Sequence, residues 1–193
     1  MLFLSLRDVE ARLDLDALID ALAPAMADLS SGAASSPARI AAQVPEVGGF
    51  LGAMPGYAEA LDGAQITCAT THSVEPVVRR AWLDPGTHVT SVGFNAAGRE
   101  VDDATIADAL IVVESREAAL APYPGGTGDL REPLRDGIIT DVHAELGEII
   151  SGVRPGRTDP DQITLYKSVG VAVQDAAAVA LVLAAGGGQH VDM

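Results

Sequence analysis

Near the start of the chain, apolar residues recur at helical spacing: Leu13, Leu15, Leu18, Ile19, Leu22 and Met26. A period near 3.6 gathers them on one face, which predicts an amphipathic helix over Val9–Leu29. Pro24 has no N–H to give and is expected to kink or split that helix. Ser30-Ser31-Gly32 ends it. Two short runs follow, Ala38–Val44 and Gly49–Met54, on either side of Pro45-Glu46-Val47-Gly48, and together they read as a hairpin.

Beyond Tyr57–Gly63 the pattern changes to short apolar runs alternating with helical segments. Gln65–Ala69, His88–Val92 and Leu110–Glu114 read as strands, with Gly137–Thr140 as a candidate fourth. Pro76–Trp82 reads as a short helix or turn, Asp84-Pro85-Gly86 as a tight turn and Asp102–Ala109 as a helix. Strands separated by helices predict an α/β fold with a parallel sheet. The last section reads as a helix over Val142–Ile150, an extended run Ile163–Tyr166 and an Ala/Val-rich helix Gly170–Ala185, closed by Gly186-Gly187-Gly188.

Composition narrows the function. A hydrophobic share of 48% over 193 residues supports a packed core. The formal charge of −15 repels phosphate backbones and anionic lipid, so neither nucleic acid nor membrane is an expected partner. The longest apolar run, Ala176–Gly186, falls far short of the ~20 residues of a membrane span. The apolar start at Met1–Leu6 is too short for a signal peptide. A single cysteine, Cys68, fits a reducing, cytoplasmic setting, and its apolar surroundings suggest an inert core thiol. No metal site is expected, because the four histidines and one cysteine lack ligand spacing. Asp141, His143 and Glu145 would not share a helix face.

Open parallel sheets bind ligands beyond the carboxyl ends of their strands. Here those ends carry small and polar residues: Ala69-Thr70-Thr71-His72-Ser73, Ser91-Val92-Gly93-Phe94-Asn95 and Glu114-Ser115-Arg116. Such residues admit a flat ligand and can bond a ribose or an amide, although turns favour the same types. A dinucleotide also needs a glycine-rich turn between a strand and a helix to hold its diphosphate. None is present in that setting; Pro124-Gly125-Gly126-Thr127-Gly128-Asp129 reads as a loop with neither the strand before it nor the helix after it.

Several blocks, taken together, resemble the ornithine cyclodeaminase/mu-crystallin family. They are Asp14–Ile19, Pro37-Ala38-Arg39, Leu51–Pro55, Thr71–Val77, Leu83–Val89, Val92-Gly93, Arg99–Asp102, Ala144–Glu148, Gly156-Arg157-Thr158, Ile163–Gly170 and Val173-Gln174-Asp175. The resemblance implies a truncated Rossmann-like sheet over residues 61–141. It also implies a small α+β dimerisation domain built from both chain ends, residues 1–60 and 142–193. It further implies a homodimer, NAD or NADP as cofactor, and a small amino acid or cyclic imine as substrate.

By the same resemblance, Arg39 and Val169 are substrate-binding candidates, Arg39 through its bidentate guanidinium. Thr71, Thr90, Ser91, Val92, Gly93, Arg99 and Ser168 are cofactor-binding candidates. Arg39 could equally be a surface arginine, and His72 a bystander at the edge. Trp82 and Tyr166 read as packing residues.

The departures from the family carry as much weight. Between Tyr57 and Asp62 the chain passes over the family's substrate-lysine strand and its phosphate turn. Lys167 is the only lysine and lies in a different block. Asn95 stands at the family's catalytic aspartate, where an amide cannot act as a carboxylate acid or base, unless it is simply a turn residue. The expected activity is therefore ketimine reductase-like rather than ornithine cyclodeamination, and impaired. The alternative is a catalytically silent form that acts through dimerisation or binding.

Overall fold

The computed structural model describes residues 2–3, 6–32, 64–186 and 189–190. The expected hairpin over 38–54, and Arg39 with it, lie outside the described residues. The predicted N-terminal helix is two helices, α1 (Leu6–Glu10) and α2 (Leu15–Ser31). The break falls at Asp14, whose carboxylate accepts from Ala17 N at 2.8 Å and caps α2. Pro24, where a kink or split was expected, lies inside α2. Pro24 and Asp20, whose carbonyl loses its partner, are both exposed, so water can take the orphaned bond.

The sheet has five parallel strands: β2 (Ile66–Ala69), β3 (His88–Ser91), β4 (Leu110–Val113), β5 (Ala144–Glu145) and β6 (Thr164–Lys167). Their order is β2-β3-β6-β4-β5. A separate strand pair, β1 (Leu2–Phe3) with β7 (Gln189–His190), runs antiparallel. Gly137–Thr140 forms no strand: Gly137, at φ +74°, takes the backbone away from α5 (Gly128–Arg135) instead. The edge strand there is β5, and helix α6 (Leu146–Ile150) begins directly after it.

Register gives the sheet two unlike faces. Ala69, Ser91, Lys167 and Val113 stand abreast, as do Thr67, Val89, Leu165 and Ile111, and all are buried. Over this face pack Val77, Val78, Leu83, Val101, α3 (Asp103–Asp108), α4 (Arg116–Leu120) and α5, with Ile106, Ala119 and Leu130 at the centre. The opposite face carries Ile66, Cys68, His88, Thr90, Leu110, Val112, Ala144, Thr164 and Tyr166, of which Val112 and Ala144 are buried and the others are not. Leu146 and Ile149 of α6 cover part of it and leave a cavity of about 470 Å³ over His88, Val112 and Tyr166.

Cys68 is exposed, not core. The reason is register: on edge strand β2 the buried positions are Thr67 and Ala69, and Cys68 falls between them.

The chain ends come together beside the sheet, where α2 packs on α6 and on α7 (Ala172–Ala184). At Gly147 the two helices meet backbone to backbone: a Cβ there would lie 2.0 Å from the carbonyl oxygen of Met26. Only glycine lets α6 approach α2 to this distance.

Candidate cofactor edge

The carboxyl ends of β2, β3 and β6 converge, and one buried side chain ties two of them together. Glu100 Oε1 accepts from the amide and hydroxyl of Thr71, at 2.5 and 2.7 Å. Its Oε2 accepts from Ser91 Oγ at 2.6 Å and Gly93 N at 2.9 Å. Gly93 has no room for a side chain, since a Cβ would lie 2.0 Å from Glu100 Oε1 and 2.2 Å from Thr71 O.

Lys167 adds the third strand. Its ammonium, 0% exposed, donates to Gly93 O at 2.7 Å and Ser91 Oγ at 2.9 Å, and pairs with Asp129 Oδ2 at 3.0 Å. Glu100 Oε2 lies 3.8 Å away. Asp129 in turn accepts from Val101 N at 3.0 Å and from Thr127 Oγ1 at 3.0 Å. Each charge in this cluster is paired and hydrogen-bonded, as burial requires.

Glu114, directly after β4, is a second buried carboxylate. It accepts from the Ser168 hydroxyl through a short bond, from Gly170 N at 2.9 Å and from Val169 N at 3.3 Å. The backbone of 168–170 is thereby fixed to the end of β4. Burial, and next the charge of Glu114, push the Tyr166 phenol above its ordinary pKa.

The candidates from the sequence are not all at this edge. Thr71, Ser91, Gly93, Ser168 and Val169 meet there, but Ser91 and Gly93 are buried and committed to Glu100 and Lys167. Val92 is 43% exposed on the rim. Thr90 points to the other face of the sheet, where its hydroxyl bonds His88 Nε2 at 3.2 Å. Arg99 is held by Asp103 at 2.6 Å and Glu132 at 3.4 Å, the Asp103 hydrogen bond raising its pKa. Asn95 donates to His72 O at 2.9 Å and accepts from Ala97 N at 2.9 Å, the bonding of a turn residue. Beside it Phe94 stacks on Tyr123, ring centroids 6.1 Å apart. His143 bonds Pro155 O at 2.8 Å and Glu145 accepts from Arg116 N at 2.7 Å.

Glu100, Glu114, Asp129 and Lys167 were not singled out from sequence as members of one site. The available signals were a lone lysine closing an apolar strand and a glutamate closing another. The glycine-rich run also needs correction, because a helix does follow it: α5, capped by the Thr127 hydroxyl on Asp129 N at 3.2 Å. It still offers a diphosphate nothing. Gly126 is packed, a Cβ there lying 2.2 Å from Ala121 O, and the first turn of α5 carries the buried Asp129 carboxylate.

Known proteins of one family resemble this chain in sequence and fold. The sequence model of the ornithine cyclodeaminase/mu-crystallin family matches residues 57–185. The chain is 44% identical to a Δ1-pyrroline-2-carboxylate reductase of Bacillus cereus over 121 residues, covering 61% of this chain and 36% of that protein. It is 39% identical to the ketimine reductase mu-crystallin of Mus musculus over 125 residues, 64% of this chain and 36% of that one. Among solved structures, Thermococcus litoralis Δ1-pyrroline-2-carboxylate reductase, in complex with NADH and L-proline, superposes with a TM-score of 0.63 at 38% identity. That match covers 69% of this chain and 42% of the other. An archaeal alanine dehydrogenase dimer with bound NAD gives a TM-score of 0.60 at 31% identity, covering 71% of this chain and 43% of that one. The chain spans less than half the length of each of these relatives. It belongs to the ornithine cyclodeaminase/mu-crystallin family.

Proposed function

We propose that this chain carries the nicotinamide side of an NAD(P)-linked imine reductase site and lacks the side that grips the diphosphate. The observation that carries the reading is the convergence of 71–73, 91–95 and 168–170, pinned from below by Glu100, Lys167 and Glu114. Thr71, Val92, Ser168 and Val169 would face the ring and its ribose. When bound, the cofactor supplies the hydride. A small cyclic imine or amino acid is the substrate class of the named relatives, and Asn95, with no carboxylate, favours reduction over ornithine cyclodeamination.

Affinity is the weak point. A diphosphate cradle contributes several charge-assisted hydrogen bonds of ~1.5–3 kcal/mol each. At about 1.4 kcal/mol per tenfold, losing two or three moves a micromolar dinucleotide to the millimolar range. The test is a fluorescence titration with NADH and with reduced nicotinamide mononucleotide. The two should bind comparably and weakly, because only the shared half is recognised. Micromolar NADH with a much weaker mononucleotide would overturn the reading, as would no binding of either. Reduction of Δ1-pyrroline-2-carboxylate should be slow and should not saturate at micromolar NADH or NADPH.

A second reading, a binding form that pairs with itself or with a full-length relative, is favoured by the sheet itself. Among the described residues β2 is an edge strand, with Ile66 68% exposed on it. Unpaired edges and bare apolar faces invite partners. Co-expression with a full-length relative followed by size exclusion tests it, and strictly monomeric elution would rule it out.

A further inference from the structure

We infer that Glu114 is a positioning residue that sets the polarity of the Ser168 hydroxyl, so that this hydroxyl meets a nicotinamide carboxamide as an acceptor. The inference rests on the reading above that 168–170 borders the ring. Its grounds are the hydrogen-bond accounts of four consecutive residues.

Ser168 N donates to Ser91 O at 2.9 Å. Val169 N and Gly170 N donate to Glu114 at 3.3 and 2.9 Å. Val171 N donates to Gln174 Oε1 at 3.1 Å, in the first turn of α7. Every backbone N–H from Ser168 to Val171 is therefore spent within the protein.

The Ser168 hydroxyl spends its proton the same way, on Glu114 Oε1. A hydroxyl has one proton to donate and two lone pairs with which to accept. Once the proton goes to Glu114, the oxygen can only accept, and the Tyr166 phenol, within reach of both groups, is the internal donor that competes for its lone pairs. Glu114 is 0% exposed, and no arginine, lysine or histidine pairs with it among the described residues, so no cation competes for the carboxylate. A segment whose own donors are all spent discriminates by what the ligand donates. A carboxamide brings an N–H₂ group; an acetyl group of the same shape brings none.

The experiment compares binding of reduced nicotinamide mononucleotide with its 3-acetylpyridine counterpart. One well-placed hydrogen bond corresponds to roughly a tenfold preference for the carboxamide in the unaltered protein. Ser168→Ala, which leaves both backbone bonds to Glu114 in place, should bring the ratio to about one. Ser168→Thr should keep the preference. Ser168 and Gly170 share Glu114 Oε1, so a glutamine carbonyl there would still take the serine proton. Glu114→Ala removes the acceptor and frees that proton, so the preference should collapse or reverse, and combined with Ser168→Ala it should change the ratio no further. Thermal melts report the fold separately, and if Glu114→Ala does not fold, Glu114→Asp, which withdraws the carboxylate by one methylene from Ser168, should lower the preference in the same direction.

A preference unchanged in Ser168→Ala would overturn the contact. A preference lost in Ser168→Ala but kept in both Glu114→Ala and Glu114→Asp would overturn the role of Glu114. Equal binding of both mononucleotides to the unaltered protein would overturn this inference and leave the nicotinamide reading intact, whereas failure to bind either removes that reading and this inference together.

Discussion

Lys167 Nζ and Asp129 Oδ2 lie 3.0 Å apart, both sealed from solvent, on elements distant in sequence. The pair joins central strand β6 to the start of α5, and with Glu100 it closes the carboxyl end of the sheet. Removing the cation leaves two buried carboxylates with their hydrogen bonds but no counter-charge. Lys167→Met is expected to cost ~3–5 kcal/mol, the usual result of breaking a buried pair from one side. Urea unfolding checks this, and a loss under about 1 kcal/mol would mean the cluster is hydrated.

Gly93 is the second sensitive point. Gly93→Ala drives a methyl into Glu100 and the Thr71 carbonyl, and overpacking of this kind costs ~1–3 kcal/mol. Gly125→Ala is the control, because its Cβ would meet nothing nearer than 3.4 Å, at Ala121 Cβ. The melting temperature should fall for the first and stay within a degree or two, roughly, for the second.

His88 gives a pH dependence. Burial, and next the Arg157 charge, lower its pKa below 6.5 in the folded protein. The unfolded chain therefore binds the proton first as pH falls. The stability His88 contributes is present above about pH 6.5 and is lost on acidification between there and its folded pKa. His88→Asn should flatten the decline of the urea midpoint between about pH 7 and pH 5.5 relative to the unaltered protein. An identical decline in both would assign the effect to other groups.

Cys68 is exposed on β2, so a thiol reagent should modify the native protein as readily as the urea-unfolded one. Slow modification that accelerates on unfolding would show that another element or another chain covers the β2 edge.

Much of the sheet was legible along the chain. The strands Ile66–Ala69, His88–Ser91, Leu110–Val113 and Thr164–Lys167 follow from short β-rich runs bounded by turn residues. The weaker elements escaped. Helices α4 and α5 lie in a stretch rich in proline and glycine, where only the caps Ser115 and Thr127 mark their starts. The break between α1 and α2 was misplaced because Pro24 is the stronger breaker in isolation, whereas exposure lets α2 run through it.

By itself the chain's residue pattern determined the α/β class and the family, because period, turn chemistry and motif blocks are local properties. Tertiary structure alone decided that Thr164–Lys167 sits between β3 and β4, and that Thr90 and Ser91 face opposite sides of the sheet. It also decided that Glu100, Asp129 and Lys167 share one dry cluster. Strand order and charge pairing bring together residues far apart in the chain, and no local pattern records which distant neighbour a buried charge will find.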